Sequence, residues 1–286
     1  MKKKRTKNSG KKYYGDNCRN SHLALGHNAL GRFIKRGVTM AFTLNDVKSS
    51  KTKQNLRILM YGPPGIGKTT FASMFPAPIL LRTEDGAAGL DVQTFDLIKN
   101  LKDLSEALHT LRDEKHNFKT VILDSLDWLE PLVWKKVTKE NNVKNIEDLG
   151  YGKGYVYALE TWKEIITGIE LTRAKGMNII AISHSITNSY DPPDGQSYVR
   201  SELKLNKKAA ALWYEWSDII AYMRPVVNTK KDATTKKIKA VSGGEREVCF
   251  GSHPAFIAKS RVPLEESYIV NNIEEYKNIV KEICHD

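Results

Sequence analysis

The stretch LRILMYGPPGIGKTT, residues 56–70, decides the fold class of this 286-residue chain. Its apolar run at 56–61 predicts a buried parallel strand, and residues 68–75 predict a helix that Pro76 ends. The glycine-rich loop between them fits the pattern G-x-x-x-x-G-K-[ST], which forms a P-loop when a strand precedes it and a helix follows. The predicted loop consists of Gly62, Pro63, Pro64, Gly65, Ile66, Gly67, Lys68, Thr69 and Thr70.

Each residue type in this loop has a chemical task. Glycines let the backbone approach phosphate oxygens in conformations that a Cβ would obstruct. The loop N–H groups and the start of the helix offer a positive field to the phosphates. We expect Lys68 to reach the β- and γ-phosphates and the Thr69 hydroxyl to ligate Mg²⁺, so ATP and Mg²⁺ are the predicted cofactors. The alternative is a glycine-rich turn with a chance lysine.

Strands and helices alternate along the rest of the chain, which predicts an α/β fold with a mostly parallel sheet flanked by helices. Residues 185–203 are predicted to be a polar loop. The lysine-rich segment 230–239 is the predicted turn of a β-hairpin, part of an antiparallel extension at the C-terminal end. Further strands are predicted at 79–82, 120–124, 178–183, 219–223 and 255–258, and further helices at 101–114, 126–140, 155–175, 207–216 and 273–284.

The net charge of +12 is concentrated at the N-terminus. Residues 1–39 hold eleven Lys or Arg residues against the single acid Asp16, so the remainder is close to neutral. We expect 1–39 to be a basic disordered tail, either translated upstream sequence or an arm that binds nucleic acid phosphates. Residues 40–54 then form a lead-in, and 55–286 form the predicted domain that contains the P-loop.

The composition indicates an ordinary globular protein, with 41% hydrophobic and 27% charged residues. No apolar run approaches the length needed to cross a bilayer, and no secretory signal is visible. The three cysteines are far apart and form no metal-ligand pattern. We therefore expect a reduced, cytoplasmic protein that does not interact with membranes.

Carboxylates at strand ends are the candidates for catalysis. Asp124 ends an apolar strand, where parallel sheets place their ligand crevice, so we predict that it associates with Mg²⁺. The alternative is a helix cap, a role that Ser125 or Asp127 could also fill. Glu84 is the first candidate to orient the attacking water. The competitors for that role are Asp85, Asp127 and Glu130.

Four segments together resemble the RecA-like P-loop ATPases, and most closely the phage-encoded RecA-fold proteins linked to single-strand annealing and recombination. The segments are GPPGIGKTT at 62–70, LLRTEDG at 80–86, VILDSLDWLEP at 121–131 and IIAISHS at 179–185. ELKLNKKAAAL at 202–212 and AKSR at 258–261 extend the resemblance over most of 55–262. A phage protein of this kind would act in the cytoplasm of the host.

The resemblance implies a role for several of these residues. Glu84 takes the position of the water-activating glutamate, although Arg82 stands where relatives carry an aspartate. Asp124 takes the Mg²⁺-associated position, and His184 that of a switch residue that senses the γ-phosphate. Lys259 and Arg261 resemble a finger that enters the nucleotide site of a neighbouring subunit, which implies a homo-oligomer, either a ring or a filament. Without that role, they are an exposed basic strand end.

Contact with single-stranded DNA is predicted for the segment after His184, because it combines aromatic rings with positive charge. The other interpretation is a solvated polar loop. The function hypotheses are a recombination or annealing ATPase, which could work with a single-strand DNA-binding protein, an ATPase that remodels or loads a protein partner, and a nucleotide-dependent switch with little turnover. The candidate DNA contacts are Tyr190, Tyr198, Arg200, Lys204, Lys207 and Lys208.

Overall fold

Strands and helices alternate through the part of the chain that a computed structural model describes. The described residues are 55–86, 89–193, 195–231, 238–241 and 243–284, and of 228–231 and 238–241 the backbone alone is described. The predictions for residues 1–39 and 40–54 lie outside these ranges. None of the described helices is long and apolar enough to cross a membrane.

The bounds of the elements agree closely with the periodicity of the sequence. The strands are β1 (Arg57–Gly62), β2 (Pro78–Arg82), β3 (Gln93–Thr94), β4 (Thr120–Asp124), β5 (Asn178–Tyr190), β6 (Tyr198–Leu203), β7 (Ile219–Pro225), β8 (Asn228–Lys231), β9 (Ile238–Val241), β10 (Arg246–Cys249), β11 (Lys259–Ser260) and β12 (Ser267–Val270). The helices are α1 (Lys68–Ser73), α2 (Leu101–Asp113), α3 (Leu126–Glu140), α4 (Lys153–Arg173), α5 (Lys207–Trp216) and α6 (Ile273–Cys284), with a 3₁₀ turn at Ile146–Leu149.

The main sheet has the strand order β12-β10-β7-β1-β5-β4-β2-β3. The six strands from β7 to β3 run parallel. At the C-terminal edge β10 is antiparallel to β7, and β12 is antiparallel to β10. These findings confirm the α/β class, the mostly parallel sheet with flanking helices and the antiparallel extension.

Alternate residues of the central strands feed two separate cores, because successive side chains of a strand point to opposite faces. Leu59 and Tyr61 of β1 pack on the face that α2, α3, α4 and α5 cover. Ile58 and Met60 pack on the other face, against α1 and α6. Burial on both faces explains why these strands are nearly continuous apolar runs.

The predicted polar loop at 185–203 is wrong in its main part. β5 continues past the sheet core to Tyr190 and pairs antiparallel with β6, so that only the segment between Tyr190 and Tyr198 is a loop. This hairpin projects from the sheet and exposes residues on both faces. Because no face of it is buried throughout, it lacks the alternation of apolar and polar residues by which strands are predicted.

Two further predictions at the C-terminal end need correction. Residues 255–258 do not form a strand, although Phe256 and Ala258 are buried there; the short strand β11 begins only at Lys259. β10 and β12 were not predicted, because each has four residues and only part of it is buried. The hairpin around 230–239 is present as the antiparallel pair β8 and β9, with its turn outside the described residues.

Candidate nucleotide site

The P-loop connects β1 to α1 at the carboxyl end of the sheet. Gly65 and Gly67 have φ values of 72° and 101°, a region that favours glycine. A Cβ on Gly62 would collide with the backbone carbonyl of Met223 on the neighbouring strand. The loop therefore needs glycine at these three positions for conformational or steric reasons.

Lys68 is almost completely buried beneath the loop. Its Nζ donates to the carbonyl oxygens of Gly62 at 3.1 Å and Pro63 at 3.0 Å. Burial lowers the pKa of Lys68, while the carboxylates of Asp124, Asp127 and Glu84 act in the opposite direction. The ammonium thus lies between the phosphate-binding loop and a group of acids.

Asp124, the last residue of β4, lies beside the first turn of α1. The Thr69 hydroxyl donates to Asp124 Oδ2 at 2.7 Å. Burial raises the pKa of Asp124, and the hydrogen bond from Thr69 and the charge of Lys68 lower it in part. Ser125, not Asp124, occupies the N-cap position of α3, and it makes no side-chain capping hydrogen bond.

The pair of Thr69 and Asp124 fits Mg²⁺. This cation takes oxygen ligands and is usually held by one or two carboxylates together with phosphates. Within the described residues, no group of three His, Cys, Asp or Glu side chains could hold a metal ion by itself. A hydroxyl and one buried carboxylate next to a phosphate-binding loop are therefore the donor set that a nucleotide-bound Mg²⁺ needs.

Glu84 reaches the site because Thr83 fastens the end of β2 to the end of β4. The Thr83 N–H donates to the Asp124 carbonyl at 2.7 Å, and the Thr83 hydroxyl donates to the Ser125 carbonyl at 2.7 Å and accepts from the Ser125 N–H at the same distance. Burial raises the pKa of Glu84, the carboxylate of Asp124 raises it further, and His184 lowers it. Thr83 was not among the predicted site residues, and no sequence pattern indicates it.

The three competing acids are committed elsewhere. Asp85 is 88% exposed and lies 3.4 Å from Arg82. Asp127 is bound to His184. Glu130 is buried and accepts the N–H of Asn206 at 3.0 and 3.1 Å, and burial raises its pKa to about 7. Among the four candidates, Glu84 is the one that interacts electrostatically with both Lys68 and Asp124 and has no hydrogen bond or ion pair to another described residue.

His184 lies directly beside the P-loop, because it pairs with Gly62 in the parallel register of β1 and β5. Asp127 Oδ1 accepts a hydrogen bond from the backbone N–H of His184 at 3.0 Å. Asp127 Oδ2 lies 2.9 Å from the ring nitrogen Nδ1 of the same histidine. Burial alone would raise the pKa of Asp127, but the contacts with His184 outweigh it and hold the pKa at about 2. Lys204 Nζ lies 3.7 Å from the same carboxylate, and the Lys204 N–H donates to the His184 carbonyl at 2.9 Å.

The candidate DNA contacts fall into two groups. Tyr190, Tyr198 and Arg200 share one face of the β5–β6 hairpin, where the two rings are 5.3 Å apart and the guanidinium lies 3.9 Å from the centre of the Tyr190 ring. Arg200 also forms an ion pair with Glu202. Lys204 lies instead at the base of the hairpin beside His184, and Lys207 and Lys208 are exposed at the start of α5.

Lys259 and Arg261 do not join the site within one chain. β11 pairs with Ile219 and Ile220, and Ile219 lies level with Ile58, four residues before Gly62. At about 3.3 Å per residue, this is about 13 Å from the P-loop. Lys259 donates to the Tyr214 carbonyl at 2.6 Å, and Arg261 lies 2.8 Å from Asp218.

A P-loop follows a buried parallel strand, a hydroxyl and carboxylate pair lies beside it, and a second acid follows β2, the strand next to β4. These features define this chain as a P-loop NTPase. It belongs to the AAA domain family, whose sequence model matches residues 54–262. Membership in this family indicates a nucleotide-binding ATPase. A comparison with curated proteins found no significant match.

Proposed function

We propose that this protein is a RecA-like, Mg²⁺-dependent ATPase that uses its nucleotide state to control binding of single-stranded DNA in recombination or annealing of the phage type. The observation that carries the proposal is the double contact of Asp127. This carboxylate holds His184, which adjoins the P-loop, and also approaches Lys204, which adjoins the β5–β6 hairpin.

Hydrolysis is assigned to residues at the carboxyl ends of β1, β2 and β4. Lys68 would exchange its two carbonyl partners for phosphate oxygens, a stronger charge-assisted contact. Mg²⁺, held by Thr69 and Asp124, would neutralise charge on the phosphates. Glu84 would accept a proton from the attacking water, and its raised pKa brings it closer to the operating pH, as a general base requires.

We use the term relay for the path from the γ-phosphate through His184, Asp127 and Lys204 to the β5–β6 hairpin, and it begins with His184. Because Asp127 fixes Nδ1 and the backbone N–H of this residue, Nε2 remains available to respond to the γ-phosphate. A change in this contact would alter the pull of Asp127 on Lys204 and so the base of the hairpin. Tyr190 and Tyr198 would stack on bases, and Arg200 and the lysines would track phosphates.

We further propose that the protein works as a homo-oligomer, either a ring or a filament, with ATP between subunits. Lys259 and Arg261 lie too far from the P-loop of their own chain to touch its nucleotide. In an assembly they would neutralise transition-state charge in a neighbouring site. A single-strand DNA-binding protein is a suitable partner for such an assembly, because both would meet on the same strand.

One observation favours a second function, the remodelling or loading of a protein partner. Arg200 forms an ion pair with Glu202, which neutralises its charge, and the apolar side chains of Ile186 and Val199 are exposed on the same hairpin. A hairpin with neutralised charge and exposed apolar groups suits a protein surface better than a phosphate backbone. In this alternative, the bound nucleotide would change the hairpin through the same contacts of His184, Asp127 and Lys204. If the protein hydrolyses ATP only slowly, it would act as a nucleotide-dependent switch.

The experiment that separates these functions measures ATPase rate and single-stranded DNA affinity of the full chain, each with and without the other ligand, at several salt concentrations. We expect DNA to stimulate hydrolysis and an ATP analogue to strengthen DNA binding. Asp127→Asn should retain nucleotide binding but lose the coupling between the two ligands. Absence of DNA binding at low salt in the presence of the analogue would reject the recombination function and leave the protein-partner alternative.

A further inference from the structure

A cavity of about 160 Å³ adjoins the P-loop on the side away from the acids. It lies where β12 leads into α6, and no motif in the sequence indicates it. An apolar cavity of about 150 Å³ is large enough to hold a benzene ring, so this one has room for a ring of a ligand. Its lining includes Thr70, Arg246, Asn271, Asn272, Ile273 and Tyr276.

Arg246 presents a guanidinium to the P-loop. It pairs with Pro225, the last residue of β7, and so lies at the same end of the sheet as the loop. A Cβ on Gly67 would lie only 2.5 Å from Arg246 Nη1, so that the absence of a side chain at Gly67 makes this approach possible. No hydrogen bond or ion pair joins the guanidinium to another residue of the described ranges.

Tyr276 supplies a second polar group that has no hydrogen-bond partner among the described residues. Its side chain is only 2% exposed and stacks on Phe71, with ring centroids 4.9 Å apart. Its hydroxyl lies 3.1 Å from the position of a Cβ on Gly67, and it makes no hydrogen bond within the described part of the chain. A buried hydroxyl without a partner is costly unless a ligand or water satisfies it.

Hydrogen bonds hold the rim of the cavity together. The carboxylate of Glu275 accepts from the N–H groups of Asn271 and Asn272, and the Asn272 side chain accepts from the Glu275 N–H at 3.1 Å. This reciprocal cap fixes the start of α6. It leaves the Asn271 amide as the side chain of the rim that can turn to a ligand, next to the half-exposed apolar group of Ile273.

The strand order gives the bound nucleotide a direction. β4 and β2, which carry Asp124 and lead to Glu84, lie on one side of β1, and β10 and β12 lie on the other. The γ-phosphate must face the acids if they hold Mg²⁺ and orient water. The α-phosphate and the nucleoside must then point toward Arg246 and the cavity.

We propose that this cavity binds the nucleoside part of ATP and that Arg246 binds the α-phosphate at its entrance. The proposal rests on the ATP binding proposed above. A planar guanidinium matches phosphate oxygens with paired hydrogen bonds. The Tyr276 hydroxyl and the Asn271 amide would hydrogen-bond to the sugar or base, and Ile273 would cover its apolar face.

The test measures the binding of MgATP and of Mg²⁺ tripolyphosphate to the full chain by calorimetry. Wild type should bind MgATP more tightly. Ile273→Trp, which fills the cavity from an exposed position, should weaken MgATP at least about tenfold and leave tripolyphosphate unchanged. Tyr276→Phe should weaken MgATP alone, by about threefold to tenfold. Arg246→Ala should weaken both ligands, because it removes a phosphate contact.

Leu171→Trp is the matched control, since Leu171 is an equally exposed apolar residue on α4, 48% against 51% for Ile273. It should change neither affinity. If Ile273→Trp and Tyr276→Phe both leave MgATP binding unchanged while Lys68→Ala abolishes it, the nucleoside site is wrong and the P-loop site stands. If wild type binds neither ligand, the proposed ATP binding itself fails.

Discussion

Basic and acidic residues lie at both ends of the sheet, but they are paired differently at the two ends. At the carboxyl end, Lys68, Asp124 and Glu84 meet beside one loop, from the ends of β1, β4 and β2. At the other end, Arg261 forms an ion pair with Asp218, which also accepts two hydrogen bonds from the Arg57 guanidinium, at 2.8 and 2.9 Å.

The two ends differ in how far the charges of their acids are compensated by nearby cations. The carboxyl end holds acids that are buried without enough compensating charge, so burial raises the pKa of both Asp124 and Glu84. At the opposite end, Arg57 lowers the pKa of Asp218 despite burial, and this one carboxylate forms ion pairs with both Arg57 and Arg261. A group with perturbed pKa values indicates a ligand site, whereas a neutralised pair indicates a structural contact.

The largest expected effect concerns Arg261, and it would show that the end of the sheet opposite the P-loop also takes part in hydrolysis. If Arg261 acts across subunits, Arg261→Ala should reduce the ATPase rate of the assembled protein about 10³-fold. Its unfolding free energy should fall by less than about 1 kcal/mol, because the side chain is 61% exposed.

Mixing supplies the control for this variant. An equimolar mixture of Arg261→Ala and Glu84→Gln subunits should regain activity, since about a quarter of its interfaces combine an intact acid with an intact finger. A rate equal to the mean of the two separate variants would restrict Arg261 to its ion pair with Asp218.

The second effect concerns the acid itself. Glu84→Gln should lower kcat by about 10²-fold, because the amide cannot accept a proton from water, and should leave ATP affinity nearly unchanged. Single-turnover hydrolysis and nucleotide titration measure the two quantities. Asp85→Asn is the adjacent control and should keep the wild-type rate. An equal loss in both variants would remove Glu84 from its assigned role.

The third effect is a pH dependence of stability from the buried Glu130. Its folded pKa of about 7 exceeds the ordinary value of 4.5, so the folded state binds more protons between these two pH values. The unfolding free energy should therefore fall as pH rises through this window, by up to about 3 kcal/mol.

Denaturant titrations of Glu130→Gln at pH 5, 6, 7 and 8 measure this contribution. The variant should gain stability relative to wild type as pH increases. Glu164→Gln removes an exposed acid that pairs with Lys136 and should produce no such trend. Parallel pH curves for wild type and Glu130→Gln would show that Glu130 ionises with an ordinary pKa in the fold.

The smallest effect sharpens the account of how the carboxyl end is assembled. Thr83→Val keeps the shape of the side chain but removes its hydrogen bonds to the Ser125 backbone, at a cost of about 1 to 3 kcal/mol in unfolding free energy. The ATPase rate should fall as well, because Glu84 follows directly. Thr138→Val, at a partly exposed helical site, is the control, and an equal loss of stability there would show that Thr83 has no special role in joining β2 to β4.

The sequence by itself determined most of this protein's framework. Apolar runs bounded by glycine, proline and acids predicted the central strands, because residues buried on both faces leave a continuous signal. The P-loop followed from its spacing and from the strand and helix predicted on either side of it. Asp124 and Glu84 followed from the rule that parallel strands bring their carboxyl ends to one edge of the sheet.

Only the tertiary structure decided which side chains meet. The β5–β6 hairpin has no buried face and hence no periodic signal, and the contact of Asp127 with both His184 and Lys204 joins residues up to 77 positions apart. The cavity beside Gly67 depends on β10, β12 and α6, which begin about 180 to 206 residues further along the chain. Local sequence patterns indicate which residues are buried and where the chain turns, but they do not indicate which distant residues pair. The proposed nucleoside cavity and the relay both depend on such long-range pairing.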